Sequence, residues 1–160
     1  WRTRTVEFAD KARLCVTIPW GDVSTAFHST GIPDITTYMA TSAAGLRTMR
    51  MMRMVEGVLR LPTVKRFMLA RLKNRAAGPD ADALARTRSQ VWGEAKDASG
   101  AVVRSRLTAP NGYTLTAIAS VRAAERMLAG GVAAGFMTPS KAFGADFVLE
   151  IPGTVREDLP

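Results

Sequence analysis

The chain has 160 residues, is 47% hydrophobic and carries a formal charge of +8, which suits one globular domain with a core of its own. No apolar run approaches the roughly eighteen residues of a membrane span, and behind the basic start Trp1-Arg2-Thr3-Arg4 there is no apolar stretch of a signal peptide. A lone cysteine, Cys15, excludes an internal disulfide and points to a reducing, cytoplasmic setting. With a lone histidine, His28, it cannot make a His/Cys zinc site, so no metal is expected.

Residues 4–19 read as a β-hairpin. Leu14, Val16 and Ile18 alternate with Arg13, Cys15 and Thr17, Asp10-Lys11 supplies the turn, and Pro19 stops the second strand. Asp22 as N-cap and Gly31 as C-terminal stop bracket a short helix, which Pro33 prevents from continuing. Residues 35–40 alternate as a strand. Ser42 is expected to cap a helix reaching about Leu61, and Pro62 to open a second reaching about Arg75. Residues 76–82 read as a loop, and residues 87–96 and 101–109 as strands joined at Asp97-Ala98-Ser99-Gly100. A helix is expected over 113–129, with Ala117, Val121, Ala124 and Leu128 as its buried stripe. Thr138 and Pro139 then start a one-turn helix that ends at Gly144. Residues 147–151 read as a last strand and 154–160 as a tail. Strand pairs separated by long helices predict a single α+β domain over 1–153, with a mixed or antiparallel sheet covered by helices.

The charge is localised. Residues 47–75 hold nine basic side chains against one acid, Glu56, and elsewhere the charges cancel. Arg47, Arg50, Arg53 and Arg60 are expected opposite Met51, Met52, Val55, Val58 and Leu59, an amphipathic pattern. Such a surface suits an anionic partner, or it is a solvated helix face. Phe67 is the only aromatic there, so nucleic acid is disfavoured. Core packing is the default for Met49, Met51, Met52 and Met54.

Chemistry-bearing residues concentrate at 20–33. Asp22, Ser24, Thr25, His28, Ser29 and Thr30 crowd one short helix between Trp20 and Pro33. His28 and Asp22 are the candidate catalytic pair, since a histidine moves protons near neutral pH. Trp20, Ser24, Thr25, Thr30 and, further along, Tyr113 are candidate substrate contacts. Each also has a structural explanation, as cap, backbone-bonded hydroxyl or packing residue. No dinucleotide fingerprint exists: Gly130-Gly131-Val132-Ala133-Ala134-Gly135 has the wrong spacing and follows a helix. Cys15 has no activating neighbour and reads as inert.

The segment Ile18-Pro19-Trp20-Gly21-Asp22-Val23-Ser24-Thr25-Ala26-Phe27-His28-Ser29-Thr30-Gly31-Ile32-Pro33 resembles one in saccharopine dehydrogenase-like oxidoreductases. Gly78-Pro79, Trp92-Gly93-Glu94-Ala95, Tyr113-Thr114-Leu115-Thr116-Ala117 and the block from Gly135 to Gly144 are similar to later segments, in the same order. The resemblance covers nearly all of this chain but only the C-terminal part of that family. It implies an N-terminal Rossmann domain, missing here, that binds NAD or NADP; no cofactor is then expected on this fragment. It also implies a substrate-binding and dimerisation role for this domain, as a homodimer. The basic, methionine-rich helices lean toward the trans-acting enoyl reductase-like branch. The start at Trp1 rather than at methionine fits a piece of a longer protein. The other reading is a non-catalytic module whose helices 46–75 dock on an anionic membrane or an acidic protein, peripheral to the membrane.

Overall fold

The computed structural model describes residues 2–59, 61–72 and 78–160. Arg60, Lys73 and Arg75 of the basic run, and the start of the loop expected at 76–82, lie outside them. The fold is α+β, and its strands form two antiparallel sheets of three.

The first sheet is β1 (Thr3–Glu7), β2 (Ala12–Thr17) and β3 (Tyr38–Thr41), with β2 central. The hairpin turn is closed by charge: Arg13 donates to both carboxylate oxygens of Asp10, at 2.8 and 2.5 Å, and stacks over the Phe8 ring. Between β2 and β3 lies helix α1 (Asp22–Thr30). It ends at Gly31, whose φ of 71° is the left-handed turn that lets its N–H reach the Phe27 carbonyl.

Ser42 caps α2 (Ala43–Met54), its hydroxyl accepting from the Gly45 N–H at 2.9 Å. The long helix expected to Leu61 breaks at Val55, and a short α3 (Glu56–Leu59) follows. Val55, a weak helix former, takes the C-cap position at which the run ends. Pro62 opens α4 (Pro62–Leu72) as expected. Part of the loop expected at 76–82 is instead the start of α5 (Ala81–Arg86), capped by Asp80 accepting from Ala83 N–H at 2.7 Å.

The second sheet pairs β4 (Arg88–Lys96) with β5 (Val102–Pro110), and β5 with β6 (Val155–Leu159). Between β5 and β6 lie α6 (Gly112–Leu128), α7 (Pro139–Phe143) and a 3₁₀ turn over Ala145–Glu150. Two expectations are corrected here. The strand expected at 147–151 is instead that 3₁₀ segment, with Phe147 buried inside it and Ile151 buried as the extended residue that ends it. A short apolar run does not by itself distinguish strand from helix. The expected tail is β6, whose charged sequence Arg156-Glu157-Asp158 suits an edge strand and sets Glu157 opposite Arg106.

Burial is sparse. Val6, Cys15, Val16, Ala109, Phe147 and Ile151 form the buried apolar core, and none of the long helices α1, α2 and α6 contains a fully buried residue. In α6 the stripe is rotated from the expected one. Leu115, Ile118, Ala119 and Ala123 are half-buried, while Ala117, Val121, Ala124 and Leu128 face solvent, Leu128 at 90% exposure. Both stripes are apolar, so periodicity alone does not choose between them. Of the four methionines expected to pack, only Met49 is half-buried; Met51, Met52 and Met54 are exposed. The accessible surface is 11987 Å² for 17.2 kDa, whereas a compact monomer of that mass exposes about 7,800 Å². The excess is several times the ~800 Å² that one partner gives up in a standard interface.

Candidate functional site

Helix α1 carries the residues on which the sequence reading concentrates. Its N-terminus differs from expectation: Gly21, not Asp22, is the N-cap, and no side chain caps the helix. The N–H groups of Val23, Ser24 and Thr25 already donate to the carbonyls of Trp20 and Gly21, at 3.0 to 3.2 Å. Those three donors are therefore satisfied by backbone.

Three hydroxyls are also committed locally. Thr25 Oγ1 donates to the Gly21 and Asp22 carbonyls, Ser29 Oγ to the Thr25 carbonyl at 2.9 Å, and Thr30 Oγ1 to the Ala26 carbonyl at 2.8 Å. This back-bonding is what serine and threonine do within a helix. What remains outward is the set Asp22, Ser24 and His28, whose side chains make no hydrogen bond among the described residues, together with the exposed rings of Trp20 and Phe27. No hydrogen bond or ion pair joins Asp22 to His28, so the expected catalytic pair is not assembled as an acid–base dyad. The His28 ring instead packs edge-on against Phe27 and Phe136, with centroids 5.9 and 6.2 Å apart.

Tyr113 stands apart. Its N–H is held by Asn111 Oδ1 at 2.9 Å at the start of α6, its ring is exposed, and no hydrogen bond or ring contact joins it to α1. The segment that does meet α1 is 136–140. Ser29 Oγ lies 2.6 Å from Thr138 Oγ1, and Ser140 Oγ donates to Ser29 Oγ at 3.3 Å. Thr138 is buried and also caps α7 through the Lys141 N–H at 3.3 Å. Two sequence blocks more than a hundred residues apart thus form one surface, with His28 and Phe136 at its rim. The sequence reading of Thr138 as a cap holds, but its contact with Ser29 has no local signal.

A second cluster escaped the sequence reading. Glu94 on β4 accepts from Arg4 on β1, at 3.0 and 3.1 Å, and from Arg104 on β5 at 2.7 Å. Hydrogen bonds from Arg4 first, then from Arg104, hold its carboxyl down to about 2. Arg4 also lies over the Trp92 ring, 4.6 Å from its centroid. A signal existed for half of it: the turn at 97–100 fixes the register that sets Glu94 opposite Arg104.

Helix α2 and the start of β1 flank an open cleft of about 450 Å³ lined by Thr3, Leu46, Arg50, Arg53 and Met54. Among the described residues no helix is long and apolar enough to cross a membrane, and no group of acidic, histidine or cysteine residues is placed to hold a metal ion. Cys15 is buried, and desolvation pushes its thiol above the ordinary range, which leaves it a poor nucleophile. Among the described residues every strand pairing is antiparallel, so they form no parallel β–α–β unit of the kind that cradles a pyrophosphate. Compared with protein-family models, curated proteins and solved structures, the chain matches none.

Proposed function

We propose that this chain is the C-terminal, substrate-facing and dimerisation part of a saccharopine dehydrogenase-like NAD(P)-dependent oxidoreductase, whose cofactor is held by a separate N-terminal Rossmann domain. The observation that carries the reading is the exposed surface of α1. Ser24 and His28 lie on one side of the helix and Asp22 in its first turn, all exposed and with side chains that have no hydrogen-bond partners among the described residues, with the His28 ring against Phe27 and Phe136. This is the composition of one wall of a cleft: a few polar groups that orient a ligand, set in apolar surface. A second domain laid over it would supply the opposite wall and exclude water. In that cleft the role assigned to His28 is to move the proton that accompanies substrate oxidation or reduction, and Asp22 and Ser24 orient the substrate by hydrogen bonds. The chain itself supplies no step on the nicotinamide.

The test uses the full-length protein that contains this chain. His28→Ala is expected to lower kcat for nicotinamide-dependent turnover about a hundredfold or more, the scale of a lost general acid–base. Asp22→Ala is expected to raise KM, with the melting temperature unchanged in both. A full-length protein that binds neither NAD nor NADP would sink the reading.

A second reading has its own observation. Met51, Met52 and Met54 are exposed beside Arg50 and Arg53, so apolar and basic groups are presented together, as on a helix that lies on an anionic bilayer. Co-sedimentation with phosphatidylserine vesicles, but not with neutral ones, and its loss at high salt, is the expected result. Equal sedimentation with both vesicle types removes this reading.

A further inference from the structure

Helix α6 is apolar on two sides, and the fold uses only one of them. Leu115, Ile118, Ala119 and Ala123 are half-buried, while Ala117, Val121, Ala124 and Leu128 are exposed, Val121 at 60% and Leu128 at 90%. The exposed four are spaced by four, three and four residues, the alternation of a coiled-coil seam, which keeps one stripe turned toward a partner helix. Charges near the stripe are already engaged: Arg122 pairs with Glu125 at 3.2 Å, and Arg126 with Glu150. The stripe itself carries no charge, so it suits an apolar partner, unlike the basic α2. It is also complementary to itself. Laid antiparallel on a second copy, with a two-fold axis between Val121 and Ala124, it sets Ala117 against Leu128 of the other copy and Val121 against Ala124. Each contact joins a small side chain to a larger one, so the helices interdigitate at close approach. Ser120 and Met127 flank the seam on one side, Ile118 and Glu125 on the other, and with the axis there no like charges meet across it.

We infer that α6 is the interface between two copies of this chain, paired antiparallel about a two-fold axis between Val121 and Ala124. Both apolar sides of the helix are then covered, one by its own chain and one by the partner. The surface needed is available: the chain exposes more than a compact monomer of its mass by several times the ~800 Å² that one partner gives up in a standard interface. Tyr113 and Met127, 66% and 59% exposed, widen the seam at its two ends. The inference rests on the dimerisation part of the proposed function and on nothing in α1 or the cofactor.

Sedimentation velocity of the full-length protein that contains this chain tests it, with far-ultraviolet circular dichroism as the control for folding. The wild type is expected to sediment as a dimer that dissociates on dilution. Val121→Glu sets a charge in the seam and should weaken association roughly tenfold or more, since a buried charge without a partner is costly. Ala124→Lys should weaken it less, because a lysine lifts its charge to the edge of an interface. Mixing the two variants brings opposite charges face to face in one heterodimer, and association should recover above that of either alone. A parallel pairing sets position 121 against itself and gives no such recovery, so its absence overturns the antiparallel arrangement. Should Val121→Glu not fold, Leu128→Lys, at a site 90% exposed, carries the test. A dimer whose affinity none of these variants changes overturns the α6 assignment and leaves the dimerisation reading standing. A wild type that is monomeric at every concentration overturns both.

Discussion

The two sheets have the same strand number and the same antiparallel pairing, yet their central strands lie in different surroundings. In β2 the adjacent Cys15 and Val16 are 1% and 0% exposed. Adjacent residues point to opposite faces, so that strand is covered on both sides. In β5 only Ala109 is buried; on the same face Val103 is 68% exposed, and Val91 on β4, opposite Leu107, is 53% exposed. Pairing is decided locally, by turns and alternation. Coverage is decided by what else packs on the sheet, and for the second sheet most of that cover is missing.

The largest expected effect tests that contrast directly. Val16→Ala should cost about 2 kcal/mol or more, as for a truncated core side chain, whereas Val103→Ala should cost about 0.5 kcal/mol or less. Urea denaturation of both variants measures the difference. Equal losses would mean that the second face is covered in solution.

The next two predictions concern the links between the halves. Thr138→Val removes both the cap of α7 and the contact with Ser29, for about 1–2 kcal/mol. A double-mutant cycle with Ser29→Ala should be non-additive; strict additivity would mean that α1 and the 136–140 segment are independent. Arg4→Ala loses a partly exposed ion pair and a cation–π stack, for about 1 kcal/mol at neutral pH. Its pH dependence has a definite sign. Glu94 is held from 4.5 down to about 2 in the folded chain, so its pairing stabilises fully above about 4.5. That contribution fades as pH falls from there through about 2. Denaturation across this window should show a smaller acid loss in Arg4→Ala than in the wild type, but not its absence, because Arg104 still bonds Glu94.

The sequence was most legible where local chemistry decides. Ser42, Pro62, Thr138 and the turn at 97–100 all behave as their residue types dictate. It was least legible where distant partners decide. β6 looked like a charged tail because its strand character depends on β5, about fifty residues earlier. The buried stripe of α6 was ambiguous because the helix is apolar on two sides. At the candidate site, the exposure of His28 and Ser24 agrees with an open polar helix. The failure of Asp22 to cap reflects Gly21 taking that position, and the clustering of Ser29 with Thr138 and Ser140 was invisible to any local pattern.

The solvent-facing stripe of α6, from Ala117 through Val121 and Ala124 to Leu128, has a thermodynamic consequence. Any partner that covers it binds the native chain and not the unfolded one, so by mass action the partner adds RT ln(1 + [L]/Kd) to the free energy of unfolding. At a hundredfold excess over Kd that is about 2.7 kcal/mol, a sizeable share of the whole stability of a domain this small. The melting temperature of this chain is then not a constant of its sequence. It is a titration signal for any ligand that binds the folded chain in preference to the unfolded one.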